Sequence, residues 1–168
     1  MDEPIEYTPI GWIRTPFDDP AGMPIQSAAT ATEATVELEE RFAPGVADLE
    51  EFSHAILVYH FHRGDPEPSL SVTPFLDEAD RGVFATRAPV RPNRIGLSVV
   101  RVVAVEGATI TVEGADVVDG TPLLDVKPFV PAFDAPEDAD VGWLEGVDDP
   151  GAVTADERFA DADETNRE

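Results

Sequence analysis

Residues 95–113, IGLSVVRVVAVEGATITVE, carry the reading that decides the fold. Ile95 to Val105 and Thr109 to Glu113 are two strand-like runs, and Glu106-Gly107-Ala108 between them reads as a hairpin loop. Upstream, Ala55 to Phe61 (AILVYHF) is β-branched and aromatic and predicts a buried strand. Ala34 to Glu39 alternates apolar and charged residues with the period of a half-buried strand, and Ile10-Gly11-Trp12-Ile13 opens another. Gly45 to Phe52 predicts a short helical turn ending before Ser53. Downstream, Asp119-Gly120 is a turn signal ahead of Pro122, and Leu123 to Val130 is short and apolar. Many short strands, few helical periods and sixteen prolines predict an all-β-dominated chain, a barrel or a sandwich with short helical turns.

A chain of 168 residues has room for one domain with a real core. Residues 1–133 read as that domain. Residues 134–168 read as an acidic, Gly- and Ala-rich peripheral tail whose only bases are Arg158 and Arg167, with its end expected to be disordered. Residues 63–82 read as a long Pro-rich loop. No apolar run approaches the roughly 20 residues of a membrane helix. The start, MDEPIEYTPIG, lacks the basic and apolar regions of a secretion leader, so a soluble cytoplasmic protein is expected. The absence of cysteine excludes disulfides, iron–sulfur clusters and thiolate zinc sites. Neither G-x-G-x-x-G nor a P-loop spacing occurs, which leaves a Rossmann-type cofactor domain unsupported.

Thirty-five acids face eleven bases, a formal charge of −24, and Lys127 is the single lysine. Such a surface repels itself at low salt, a property associated with halophiles, and at molar salt the screening length shrinks to about 3 Å. A halophilic protein is therefore expected; the plainer alternative is an acidic protein with an interaction tail. Against this background, the stretch from Arg81 to Val105 holds five arginines (Arg81, Arg87, Arg91, Arg94 and Arg101) and no acid. Guanidinium forks bind carboxylate and phosphate and stay charged at any working pH. Pro89 and Pro92 stiffen RAPVRPNR, so its cations lose little entropy on binding an anion. The competing reading is that these arginines pair with acids of the protein's own surface.

His54, His60 and His62 fall on one face of a strand, since residues two apart point the same way. His60-x-His62 with Glu67 after four residues imitates part of a cupin metal motif. The flanking glycines of that motif are missing and Pro66-Glu67-Pro68 is no strand, so ordinary hydrogen-bonded histidines are preferred and no metal is expected.

Longer motifs carry a family resemblance. Gly82 to Pro89 (GVFATRAP), with Arg91-Pro92-Asn93 and Ile95-Gly96-Leu97-Ser98, resembles the signature of TrmO-like (TsaA-type) tRNA adenine-N6 methyltransferases. So does Asp119 to Phe129 (DGTPLLDVKPF), together with Pro9 to Phe17 and Phe52-Ser53-His54. The agreement runs from about Pro9 to Phe133. It implies a single-sheeted β-barrel, often dimeric, that binds S-adenosylmethionine and methylates N6 of threonylcarbamoyladenosine beside the tRNA anticodon. Carried over by position, the cofactor contacts fall on Pro24, Ile25 and Gln26, on His62 and Arg63, on Arg87 and Leu97, and on Asp119, Gly120, Thr121 and Pro122.

The local chemistry agrees with what the resemblance implies. Arg87 or Arg63 suits the cofactor's carboxylate, Asp119 its ammonium or ribose hydroxyls, and Leu97 with the Gly120-Thr121 turn its adenine. Without the resemblance, Asp119-Gly120 is a plain turn. Methyl transfer demands alignment of nucleophile, methyl and sulfur, and N6 must also lose a proton. Asp119 and His62 are the two candidate acceptors. Arg91, Asn93 and Arg94 are the candidates for the anticodon loop, since RNA recognition favours splayed loops held by stacking and cations. Two residues depart from the family pattern: Ile25 stands for a frequent arginine, and Arg94 for the proline after Asn93. The C-terminal domain of longer bacterial members is not matched. Methyl transfer to another nucleoside or small molecule, and S-adenosylmethionine binding without turnover, are the other readings of the same motifs.

Overall fold

The computed structural model describes residues 3–21, 23, 31–64 and 67–147. Among the described residues there are eight strands: β1 (Gly11–Arg14), β2 (Glu33–Leu38), β3 (His54–His60), β4 (Ser71–Val72), β5 (Arg81–Gly82), β6 (Ile95–Glu106), β7 (Thr109–Glu113) and β8 (Thr121–Pro128). Six of them close into an antiparallel barrel in the order β1-β2-β7-β6-β3-β8, with β8 returning to β1. The expected single-sheeted barrel is therefore the architecture. Strand alternation builds its core: Ile13, Val36, Leu57, Ile110, Val112 and Leu123 all point inward and are essentially inaccessible. Register shifts between Val58 and Tyr59 and between Val102 and Ala104 bend β3–β8 and β6–β7, the kind of irregularity that lets a sheet curl.

The β6–β7 hairpin is tighter than its sequence suggests. Glu106 pairs with Thr109, so the loop is only Gly107-Ala108, and Gly107 takes the left-handed φ of +61° that its turn position requires. The strand at Ala55–Phe61 is buried on one face rather than two. Ala55, Leu57 and Tyr59 enter the core, while Ile56 and Val58 are only half covered, because a lone barrel has no second layer outside it. Helical structure between β2 and β3 begins earlier than expected, as 3₁₀ turns over Glu40–Val46 and Leu49–Glu51 that press Val46 and Leu49 onto the core.

The segment read as a loop over residues 63–82 contains the hairpin β4–β5. An ion pair from Arg81 to Asp77 (2.6 Å) and a hydrogen bond from Thr73 Oγ1 to Asp80 Oδ1 (2.6 Å) brace it, and Val72, Val83 and Ala88 form a small second core beneath it. Beyond the barrel come α1 (Pro131–Asp134) and a 3₁₀ turn over Gly142–Gly146. Trp143 Nε1 donates to the Ala85 carbonyl at 2.8 Å, and the Arg81 guanidinium lies 5.6 Å from the indole ring. The first part of the acidic tail thus docks on the 83–85 turn, and residues 148–168 lie outside the described residues. Among the described residues no helix is long and apolar enough to cross a membrane.

Candidate functional site

Three segments far apart in sequence meet around a cavity of about 390 Å³, within the size range of small-molecule sites. The end of β3 and its extension provide Tyr59, Phe61, His62 and Arg63. The stretch leading into β6 provides Thr86, Arg87, Arg91, Gly96 and Leu97. The β7–β8 connection provides Asp116, Val117, Val118 and Thr121. Pro20, Met23 and Pro74 to Leu76 complete the wall, which is more apolar than polar.

Local structure explains why these side chains converge. In the β3–β6 ladder Tyr59 lies opposite Gly96, and Phe61 N continues the pairing with a 2.8 Å hydrogen bond to the Arg94 carbonyl. The Tyr59 ring packs directly over Gly96, where a Cβ would sit 2.6 Å from Tyr59 Cζ and 2.9 Å from Phe61 Cζ. Glycine here lets two aromatic rings close over the strand. Two segments of the resemblance, the Arg87 loop and the start of β8, share this one pocket.

His62, Arg63, Arg87, Leu97 and Thr121 line the pocket among the residues nominated for the cofactor. Asp119, Gly120 and Pro122 stand outside its lining. Asp119 Oδ1 accepts the Thr15 amide at 3.1 Å, its own amide donates to Phe17 O at 2.7 Å, and Gly120 N donates to Ile13 O at 2.9 Å. This turn therefore ties the exit of β1 to the start of β8 and so aims Thr121. Pro122 pairs with Trp12 on the barrel exterior. Pro24, Ile25 and Gln26 lie outside the described residues, although Pro20 and Met23, which precede them, reach the wall.

The five arginines divide by role. Arg81 pairs with Asp77, and Arg101 with Glu113 across the β6–β7 ladder at 2.6 Å, so bridging to the protein's own acids holds for these two. Arg91 Nη1 donates to the Thr86 and Ala88 carbonyls (3.0 and 3.3 Å), and Arg94 Nη2 donates to the Arg63 carbonyl (2.6 Å). Both clamp the pocket loops. Asn93 O accepts the Ile95 amide at 2.7 Å and completes the same bend. Arg87 stands on the pocket wall.

The histidines separate too. His54 and His60 stay on the outer face of β3, whereas the strand ends before His62, which turns to the pocket. Burial, then the nearby Arg94 charge, lowers the His60 pKa. The Thr121 hydroxyl donates to Val118 O at 2.6 Å, so at its 3.3 Å contact with Thr121 Oγ1 the His62 Nδ1 is the donor. Among the described residues no three His, Asp or Glu side chains come together to hold a metal ion.

Sequence reasoning missed one group of polar residues. Ser98 Oγ donates to Asp116 Oδ1 and lies 3.0 Å from the Tyr59 hydroxyl, with Tyr59 and Ser98 both buried. Burial, then the charge of Asp116, pushes the Tyr59 pKa up, so the phenol keeps its proton. The available signal was a serine at an inward position of β6, between Gly96 and Val100.

Residues 12–135 match the tRNA-methyltransferase O N-terminal domain family. A probable S-adenosyl-L-methionine-binding protein of Pyrococcus abyssi is 54% identical over 140 residues, 83% of this chain and 76% of that protein. The tRNA (adenine(37)-N6)-methyltransferase of Mus musculus is 36% identical over 140 residues, which are 79% of this chain and 32% of that protein. The crystal structure of TrmO from Pseudomonas aeruginosa superposes with a TM-score of 0.74 at 38% identity, over 87% of this chain and 65% of that one. The chain thus spans about a third of the mouse relative and about two thirds of the superposed bacterial structure. With the barrel, the pocket motifs and these likenesses in agreement, the chain belongs to the tRNA-methyltransferase O N-terminal domain family.

Proposed function

We propose that this protein is an S-adenosylmethionine-dependent methyltransferase acting on N6 of the adenine at position 37 of tRNA, in its threonylcarbamoyl-modified form. The observation that carries the reading is the meeting of the Arg87 loop and Thr121 in one pocket. The residues fit the cofactor's chemistry. Arg63 and Arg87 supply cations for a carboxylate, Leu97, Val117 and Val118 supply apolar surface for an adenine, and His62 supplies an acceptor. When bound, the cofactor supplies an electrophilic methyl group. The chain's own contribution is to hold it in line with N6 and keep water out, alignment worth several kcal/mol and up to about 7–11 in the best cases.

Asp119 and Gly120 act from behind the wall, by fixing the backbone that presents Thr121. Pro24, Ile25 and Gln26, nominated for the cofactor, follow in sequence Pro20 and Met23, which line the pocket. For the anticodon loop, Arg91, Asn93 and Arg94 belong to a proline-stiffened cationic stretch beside the pocket, where phosphates are held and bases splayed. A homodimer working in a salty cytoplasm, with residues 1–133 as the working domain, completes the proposal.

Purified protein at high potassium chloride is given S-adenosylmethionine and either modified or unmodified tRNA, and methylated nucleosides are measured by mass spectrometry. Methylation of the modified tRNA alone is expected. Cofactor binding without turnover on either tRNA would overturn the reading in favour of a binding module. Turnover on free nucleosides alone would redirect it to a small substrate.

A further inference from the structure

We propose that Asp116 takes the N6 proton during methyl transfer, with Ser98 and Tyr59 as its positioning residues. This rests on the methyltransferase reading above. The three groups come from separate parts of the barrel: Tyr59 from β3, Ser98 from β6, and Asp116 from the β7–β8 connection. A serine hydroxyl has one proton, and Ser98 gives it to Asp116 Oδ1. The 3.0 Å contact between Tyr59 and Ser98 must then run from the phenol to the serine. All donation points toward the carboxylate, which stands at the acceptor end and on the pocket wall.

Two further observations single out Asp116. A chain with 35 acids places just this one among the described residues that line the pocket. Behind it, Tyr59 and Ser98 carry hydroxyls into a largely apolar barrel interior. Ser98 is 1% exposed, its inward neighbour on β6 is Val100, and its hydroxyl links Tyr59 to the Asp116 carboxylate. Asp119, the acceptor nominated from sequence, has an oxygen on the Thr15 amide and stands outside the pocket lining.

The step balances as follows. N6 forms a bond to the methyl carbon, the carbon–sulfur bond breaks with its electron pair left on sulfur, the N6–H electron pair stays on nitrogen, and the proton passes to the Asp116 carboxylate. Asp116 then returns its proton to solvent. The other charged and titratable groups on the pocket wall are Tyr59 from β3, His62 and Arg63 from its extension, and Arg87 and Arg91 from the loop before β6.

The test compares full-length wild type with Asp116→Asn, Ser98→Ala, Tyr59→Phe and His62→Gln, reading single-turnover tRNA methylation across pH and S-adenosylmethionine affinity by calorimetry. Asp116→Asn is expected to bind S-adenosylmethionine within about threefold of wild type and to lose about 10²–10⁴-fold in rate. Ser98→Ala and Tyr59→Phe remove donation toward the carboxylate and raise its pKa, so the ascending limb of the pH–rate profile moves to higher pH. A purely structural role would leave that limb in place. His62→Gln is expected to weaken S-adenosylmethionine binding and, at saturating cofactor, to lose less rate than Asp116→Asn. The assignment is overturned if Asp116→Asn turns over like wild type, if it loses cofactor binding, or if His62→Gln shows the larger rate loss. Wild-type protein that methylates no tRNA at all would overturn the function itself and this assignment with it.

Discussion

Arg87 is the cation on the pocket wall that the sequence motif nominated, and its neighbours show why it can serve there. Arg91 holds the Thr86 and Ala88 carbonyls on either side of it, so the Arg87 backbone is fixed before any ligand arrives. A charge-assisted hydrogen bond is worth about 1.5–3 kcal/mol. Arg87→Ala is therefore expected to weaken S-adenosylmethionine binding by roughly ten- to a hundredfold in calorimetry, and unchanged affinity would refute the role. Gly96→Ala tests the steric side of the same site. The added methyl meets the rings of Tyr59 and Phe61, and overpacking of this kind costs about 1–3 kcal/mol, read as a lower melting temperature together with weaker cofactor binding. Arg87 was legible because it stands in a long motif. Asp116 was not: one more acid in a chain of 35 carries no pattern, and its bond to Ser98 exists only once the barrel has closed.

Among the elements, the barrel strands were legible because alternation and hairpin turns are local signals; Thr109–Glu113 is the same span in sequence and structure. The 63–82 segment was misread as loop because β4 and β5 have two residues each, too few for any period to register. Side chains hold it instead. The Ala79 amide, followed by Arg81, lowers the Asp77 pKa from its ordinary 3.8. A depressed carboxyl pKa stabilises the fold above the unfolded-state value and ceases to do so as pH falls through the folded-state value. Asp77→Asn should thus remove part of the loosening seen below about pH 4, checked by amide exchange in residues 73–82. The Trp143 contact makes a second prediction at this scale. Trp143→Phe loses the hydrogen bond to Ala85, worth about 1 kcal/mol, and should relax the turn leading to Arg87. Cofactor affinity should fall by no more than about fivefold with the barrel intact, and any larger effect would mean that the tail touches the ligand directly.

Over the whole molecule, charge is the dominant property. A net −24 must be held together by a core built mainly of Ile, Leu and Val around Tyr59. Screening removes the self-repulsion, so the melting temperature should rise steadily from low to molar potassium chloride, and a flat series would sink the halophilic assignment. Charge and overall class were readable from composition, whereas the pocket was not, because it forms where three remote segments meet. The closed order of the strands has one more consequence. Concentrated salt strengthens apolar association between molecules and strips away the electrostatic repulsion that keeps acidic proteins apart. An open sheet in that solvent would offer a row of vacant backbone donors and acceptors as a template for cross-molecule pairing. Here β8 returns to β1, so the six barrel strands offer no open edge, and at high salt this closure should limit pairing between molecules.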